Sequence, residues 1–255
     1  MNEAYEADIE RLKALIKEYG GVDSYNTVQA ATLFELLYKM VSELGLTPEN
    51  RADFHKGVEK IFNFDIQGLE NYTKGKYILV PNHVGEFDGM LYGTVLSNML
   101  VVAKTDWIAN PHLNEFVEKL FSVVGAVRGD NSSGITVLKK CVQHLNSLED
   151  GAVTIFVQQT IADIDLTTPE DVAPGACFIA KKTGAKIVPV YAEQISAEHP
   201  TRMIFGEPIE CLDKKAFGEE WLKREFELRD SIKNPEARPP VLCEKHRKPI
   251  SERGF

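Results

Sequence analysis

His83 and Asp88 stand five residues apart in the stretch Tyr77-Ile78-Leu79-Val80-Pro81-Asn82-His83-Val84-Gly85-Glu86-Phe87-Asp88-Gly89-Met90. On a single helix that spacing turns two side chains about 140° apart. They meet if His83 sits in a turn after the apolar run and Asp88 in the first turn of the next helix, with Gly85 freeing the backbone between them. A carboxylate so placed accepts from one imidazole nitrogen and fixes the tautomer, leaving the other nitrogen to take a proton from a substrate. The helix dipole also favours an acidic residue at that end. The pair reads as a general-base dyad with no serine or cysteine nucleophile beside it. On spacing alone, the commoner outcome is a solvated turn or an aspartate that caps a helix.

The elements that must position this pair alternate from Phe62 onward. Apolar, β-rich runs predict strands at 61–66, 77–80, 100–103, 123–127, 153–157, 186–191 and 202–205. Helical periodicity predicts helices at 86–97, 111–121, 132–148, 175–183 and 214–230. The fold class is therefore α/β: a central mixed, mainly parallel sheet covered by helices on both faces. Ahead of it, 4–19 and 28–44 carry apolar stripes at helical spacing closed by Gly20-Gly21 and Gly45, which predicts an N-terminal helical hairpin. The expected division is an N-terminal helical segment at 1–57, an α/β domain at 58–233 and a Pro-, Lys- and Arg-rich C-terminal tail over the surface at 234–255.

The chain has 255 residues, enough for a sizeable core, and 44% hydrophobic with 26% charged residues is ordinary for a globular protein. Twenty-nine basic against 38 acidic residues give a net charge of −9, which argues against nucleic acid and against general attraction to an anionic membrane. Cys141, Cys177, Cys211 and Cys243 form no metal-type pair, so a reduced, cytosolic protein is the simplest expectation, with Cys141 and Cys177 packing helices. No charged-then-apolar leader and no apolar run of ~18 residues is read in the sequence. Asp163, Asp165, Glu170 and Asp171 share a loop, but their irregular spacing favours a solvated charged loop over a cation site. His112, His144, His199 and His246 show no partner pattern and read as surface residues.

Several blocks occur in a recognisable order. After Asn82-His83 and Asp88 come Met99–Lys104, a strand ending in lysine, and Val123-Val124-Gly125-Ala126-Val127-Arg128-Gly129-Asp130, a strand ending in arginine. Leu148 to Phe156 leads into a third block, Ala180 to Val190 forms a fourth, and Ile204-Phe205-Gly206-Glu207-Pro208-Ile209 follows. This series resembles the glycerolipid acyltransferase superfamily, the 1-acylglycerol-3-phosphate and glycerol-3-phosphate acyltransferases with an HxxxxD motif, over residues 62 to 230. Ordered blocks are more specific than one motif.

The resemblance implies an acyltransferase that moves an acyl group from a thioester, acyl-CoA or acyl carrier protein, to a hydroxyl or amine. It makes His83 the general base and Asp88 its orienting partner. Gly85, Lys104 and Arg128 are expected at the oxyanion or acceptor, with backbone amides near Gly85 as oxyanion donors. No metal or other cofactor is expected, and the partners are the acyl carrier and a small-molecule or lipid acceptor. Relatives often lean on the bilayer, so a cytoplasmic protein with peripheral membrane contact fits. The third block departs from the family: Phe156-Val157-Gln158-Gln159-Thr160-Ile161-Ala162 stands where Phe-Pro-Glu-Gly-Thr-Arg-Ser is usual. Gln158, Gln159 and Thr160 are expected to bind the acceptor there, and that acceptor need not be glycerol phosphate. The rival readings are a non-catalytic lipid-binding relative and a hydrolase using the same dyad on water.

Overall fold

The computed structural model describes residues 64–72, 74–85, 88–96, 98–105, 122–127, 131–193, 201–210, 213–232 and 247–253, together with Ala7, Glu10, Arg11 and Ala14. The expected N-terminal hairpin, apart from those four helical positions, and the expected helix at 111–121 lie outside the described residues. Within them the strands are β1 (Phe64–Gln67), β2 (Lys76–Pro81), β3 (Met99–Lys104), β4 (Ser122–Ala126), β5 (Gly151–Thr154), β6 (Lys186–Ala192) and β7 (Thr201–Phe205). The helices are α1 (Asp88–Val95), α2 (Asn131–Asn146), α3 (Gly175–Thr183) and α4 (Lys214–Ser231).

The strands form one sheet in the order β1-β7-β6-β2-β5-β3-β4. Every neighbouring pair is parallel except β6 with β7. The sheet is thus mixed and mainly parallel, and the C-terminal ends of β2, β3, β4, β5 and β6 share one edge. Such an edge is where open α/β sheets bind ligands.

Alternation along the strands divides the core. Ile78, Val80, Leu100, Val153 and Ile187 join one cluster with Val137 and Cys141 of α2, Cys177 and Ile179 of α3, and Phe217 and Trp221 of α4. The opposite face carries α1, which packs on β3 and β5. Strands buried on both faces read as continuous apolar runs, as Tyr77-Ile78-Leu79-Val80 does. The indole Nε1 of Trp221 donates to the carbonyl of Val80 at 2.8 Å, fastening α4 beneath the end of β2.

Local signals set the helix ends. Asp213 caps α4 by accepting from the amides of Lys215 and Ala216. Gly184, at φ 72°, closes α3 in the left-handed conformation with its amide on the Ala180 carbonyl. Strand ends mostly fall within a residue of expectation, but β5 stops at Thr154, not 157. The chain turns there, with the Gln159 amide on the Phe156 carbonyl at 2.9 Å and Gln159 at φ 56°, so the apolar Val157 continues the core but not the strand.

Candidate active site

Pro81 ends β2, and the next three residues build the turn. Asn82 is 1% exposed, and its side chain behaves as one more rung of the sheet. Its Nδ2 donates to the Ala192 carbonyl at 2.9 Å and its Oδ1 accepts from the Ala192 amide at 2.8 Å. His83 follows this locked residue. Its Nδ1 lies 2.9 Å from Oδ2 of Asp88, at the first position of α1. The same Oδ2 accepts from the amides of Val84 at 2.7 Å and Gly85 at 2.9 Å. A carboxylate oxygen that already takes two backbone amides is an acceptor, so the tautomer that fits the contact has the proton on Nδ1 and leaves Nε2 as the acceptor nitrogen of the neutral ring. The imidazole stacks on Phe156, ring centroids 4.2 Å apart, and its side chain remains 20% exposed while that of Asp88 is 6% exposed.

Gly85 therefore corrects an expectation. Its amide and that of Val84 are directed at Asp88, and an N–H committed there is not aimed at an oxyanion. The local competitor is the carboxylate itself, three residues on.

In the third block the side chain of Gln158 is turned into the protein. Gln158 is 1% exposed. Its Oε1 accepts from the His83 amide at 2.8 Å, while its Nε2 donates to Thr167 Oγ1 at 2.7 Å and to the Ala162 carbonyl at 3.3 Å. With its amide engaged at both ends inside the protein, Gln158 braces the histidine turn. The network also accounts for glutamine where glutamate is usual. Thr167 Oγ1 already donates to the Asp163 carbonyl, so the groups facing Nε2 are both acceptors and need a donor. The Ala162 amide in turn donates to the His83 carbonyl at 2.9 Å, so both backbone groups of His83 are held by this one loop. Thr160 is nearly buried, and Gln159 is exposed at the loop tip.

Lys104 ends β3 and is exposed. Leu79 and Val101 both pair with Thr154, so β2 and β3 flank β5 about 9–10 Å apart, and Lys104 ends β3 on the same sheet edge at which β2 runs into the His83 turn. Arg128 lies outside the described residues. Among the described residues no group of three or more His, Cys, Asp or Glu gathers to hold a metal. The acidic loop is used structurally: Asp163 caps a 3-10 turn, Asp171 accepts from Thr168, and Asp165 pairs with Arg229 at 3.0 Å. Burial holds the Asp163 carboxyl above the ordinary value. Cys141 and Cys177 are buried between α2 and α3, and burial pushes the Cys141 thiol up to about 12. His144, expected at the surface without a partner, bonds the Asn98 carbonyl at 2.8 Å.

Three further residues near the site were not anticipated. Tyr92 of α1 is fully buried with its ring edge toward Phe156. Glu225 of α4 is also fully buried; the spacing Phe217, Trp221, Glu225 puts a carboxyl in the apolar stripe of that helix, a signal readable in the sequence. Among the described residues the Tyr92 hydroxyl has no hydrogen-bond partner, and the Glu225 oxygens meet no side-chain donor, only the Val190 backbone nearby. Burial raises the Glu225 carboxyl well above its ordinary value, and the Val190 backbone opposes this only in part. The third residue is Arg253. The expected surface tail ends instead in a 3-10 turn at Ile250–Glu252, with Ile250 and Arg253 buried.

A mainly parallel sheet with a histidine–aspartate pair at the C-terminal end of β2 defines a class of α/β enzyme site. The chain matches the Acyltransferase family over residues 63–193, just over half its length, and it belongs to that family. A comparison with curated proteins finds no match. Among solved structures it is similar to the 1-acyl-sn-glycerophosphate (LPA) acyltransferase PlsC from Thermotoga maritima. The TM-score is 0.50 and the identity 16%, over 92% of this chain and 100% of that one. At that identity the likeness is one of fold. Among the described residues no helix is long and apolar enough to cross a membrane.

Proposed function

We propose that this acyltransferase moves an acyl group from a thioester, on coenzyme A or acyl carrier protein, to a hydroxyl or amine, with His83 as general base and Asp88 orienting it. The observation that carries the reading is the 2.9 Å contact between His83 Nδ1 and Asp88 Oδ2, which leaves Nε2 to act on the acceptor. The acceptor O–H or N–H gives its proton to Nε2 as its oxygen or nitrogen attacks the thioester carbonyl carbon. The tetrahedral intermediate collapses with loss of the C–S bond, and the departing sulfur takes the proton from the imidazolium. Products are an ester or amide and a free thiol. Lys104, on the same sheet edge, is the cation we assign to the oxyanion or acceptor, with Arg128 as the second.

The acceptor we favour is an alcohol or amine without a phosphate. Phosphate recognition draws on charge-assisted bonds, bidentate from arginine. The position where the resemblance puts arginine is Ile161, buried and without a donor, and the exposed third-block side chain is the neutral Gln159. The similar PlsC is named for a phosphorylated acceptor, so the contrast is testable. Purified protein is given a panel of acyl-CoA and acyl carrier protein thioesters with glycerol 3-phosphate, lysophosphatidic acid, and non-phosphorylated alcohols and amines at equal concentration. Mass spectrometry is expected to show an acylated neutral acceptor. Preference for a phosphorylated glycerol would overturn the acceptor reading, and thiol release without any acylated product would make the protein a hydrolase.

A further inference from the structure

Arg253 lies 170 positions after His83 in the chain, yet one peptide group separates the two. Only 6% exposed, its guanidinium donates through Nε to the Lys248 carbonyl at 2.8 Å and through Nη1 to the Ile161 carbonyl at 2.7 Å. The Ile161 carbonyl and the Ala162 amide are the two ends of one planar trans peptide, so they point in opposite directions. At its far end that peptide donates to the His83 carbonyl at 2.9 Å. The Ala162 carbonyl is held by Gln158, whose other end holds the His83 amide. A buried guanidinium on a carbonyl makes a charge-assisted bond, and it polarises the same peptide so that its N–H donates more strongly.

We infer that Arg253 is a positioning residue for acyl transfer: through the Ile161–Ala162 peptide it fixes the backbone of His83 so that the ring meets Asp88. It touches no substrate. The C-terminal segment is then part of the site's frame. The inference rests on reading His83 as the general base, but the His83–Asp88 geometry it governs is measurable without turnover.

The experiment uses the full chain with Arg253→Met and Arg253→Lys, at a temperature where circular dichroism shows each variant folded. Small displacements of a reacting group reduce rate more than binding, so Arg253→Met is expected to lower kcat about tenfold while the thioester KM stays within about twofold. Arg253→Lys, which keeps the charge and a single donor nitrogen in place of the guanidinium fork, is expected to recover part of kcat. The NMR signal of the proton on His83 Nδ1, assigned by its loss in His83→Ala, is expected to shift or broaden in the methionine variant and to return toward wild type in the lysine variant. If the methionine variant does not fold, the lysine variant's kcat and resonance, each displaced from wild type, carry the same expectation. Unchanged kcat and resonance, or a loss confined to KM, overturns the inference. Should His83→Ala itself retain turnover, the proposed function fails, and the resonance alone decides whether Arg253 positions the histidine.

Discussion

Two buried carboxyls flank the functional edge and are treated in opposite ways. Asp88 is met at one oxygen by an imidazole and two backbone amides. Glu225, fully buried on α4, meets no side-chain donor among the described residues and only the Val190 backbone nearby, and burial favours its protonated form. The difference is one of donors and not of burial. A carboxylate surrounded by N–H groups serves as a fixed acceptor that orients a base. The same group with too few donors to offset its burial is pushed toward its neutral form, at a cost to stability.

The largest effect tests the oriented side of that contrast. His83→Ala should lower acyl transfer about 10²–10⁴-fold while the melting temperature changes little, because the ring lies in a turn and not in the core. Near wild-type turnover in a folded variant would break the mechanism. Asp88→Asn keeps the shape but presents either an N–H or a weaker acceptor to Nδ1. We expect about a 10²-fold loss in kcat with donor binding little altered; a loss only in binding would make Asp88 a helix cap.

Gln158→Glu asks whether the brace needs its donor. The variant restores the residue usual at this position but sets a carboxylate oxygen against the Ala162 carbonyl and Thr167 Oγ1, so we expect a loss of about 1–3 kcal/mol at neutral pH. Denaturant melts give the answer, and an unchanged midpoint would mean the network rearranges freely. The smallest effect belongs to Glu225. Its folded-state affinity for a proton is raised above the unfolded one, so its stabilising contribution is full below the ordinary value of 4.5 and is lost as pH rises toward the folded value. Glu225→Gln should therefore melt like wild type near pH 4 and become progressively the more stable of the two toward pH 8. Parallel melting curves at all pH values would show that the Val190 backbone fully offsets the burial of Glu225.

Most of the fold was legible because its signals are local. The run Tyr77 to Val80 could only be a strand buried on both faces, and α3 runs from Gly175 to the left-handed cap at Gly184, as the spacing suggests. The His83–Asp88 contact was legible for the same reason, since five residues and one turn contain it. What escaped is non-local. Gln158 looked like an acceptor ligand because its partners, His83 and Thr167, are remote or unremarkable in sequence. Gly85 looked like an oxyanion donor because nothing in the spacing says which acceptor wins its amide. Arg253 sat in a stretch whose composition is that of a surface tail, and no pattern marks a single buried guanidinium. Asn82 is a turn residue by type, and its second role as a sheet rung depends on β6.

The partners of the histidine turn also set an order of events in biosynthesis. His83 leaves the ribosome early, but Gln158 follows it by 75 positions and the Ala192 backbone that zips to Asn82 lies 110 positions after that residue. Closing such wide loops adds only about 0.6 kcal/mol for each doubling of their length, so the finished protein is scarcely penalised. The delay is temporal: long-range pairings form late. A nascent chain that has not yet made β6 holds the His83 ring on an unbraced loop, so the geometry of the turn is completed with the second half of the sheet and not with the motif itself.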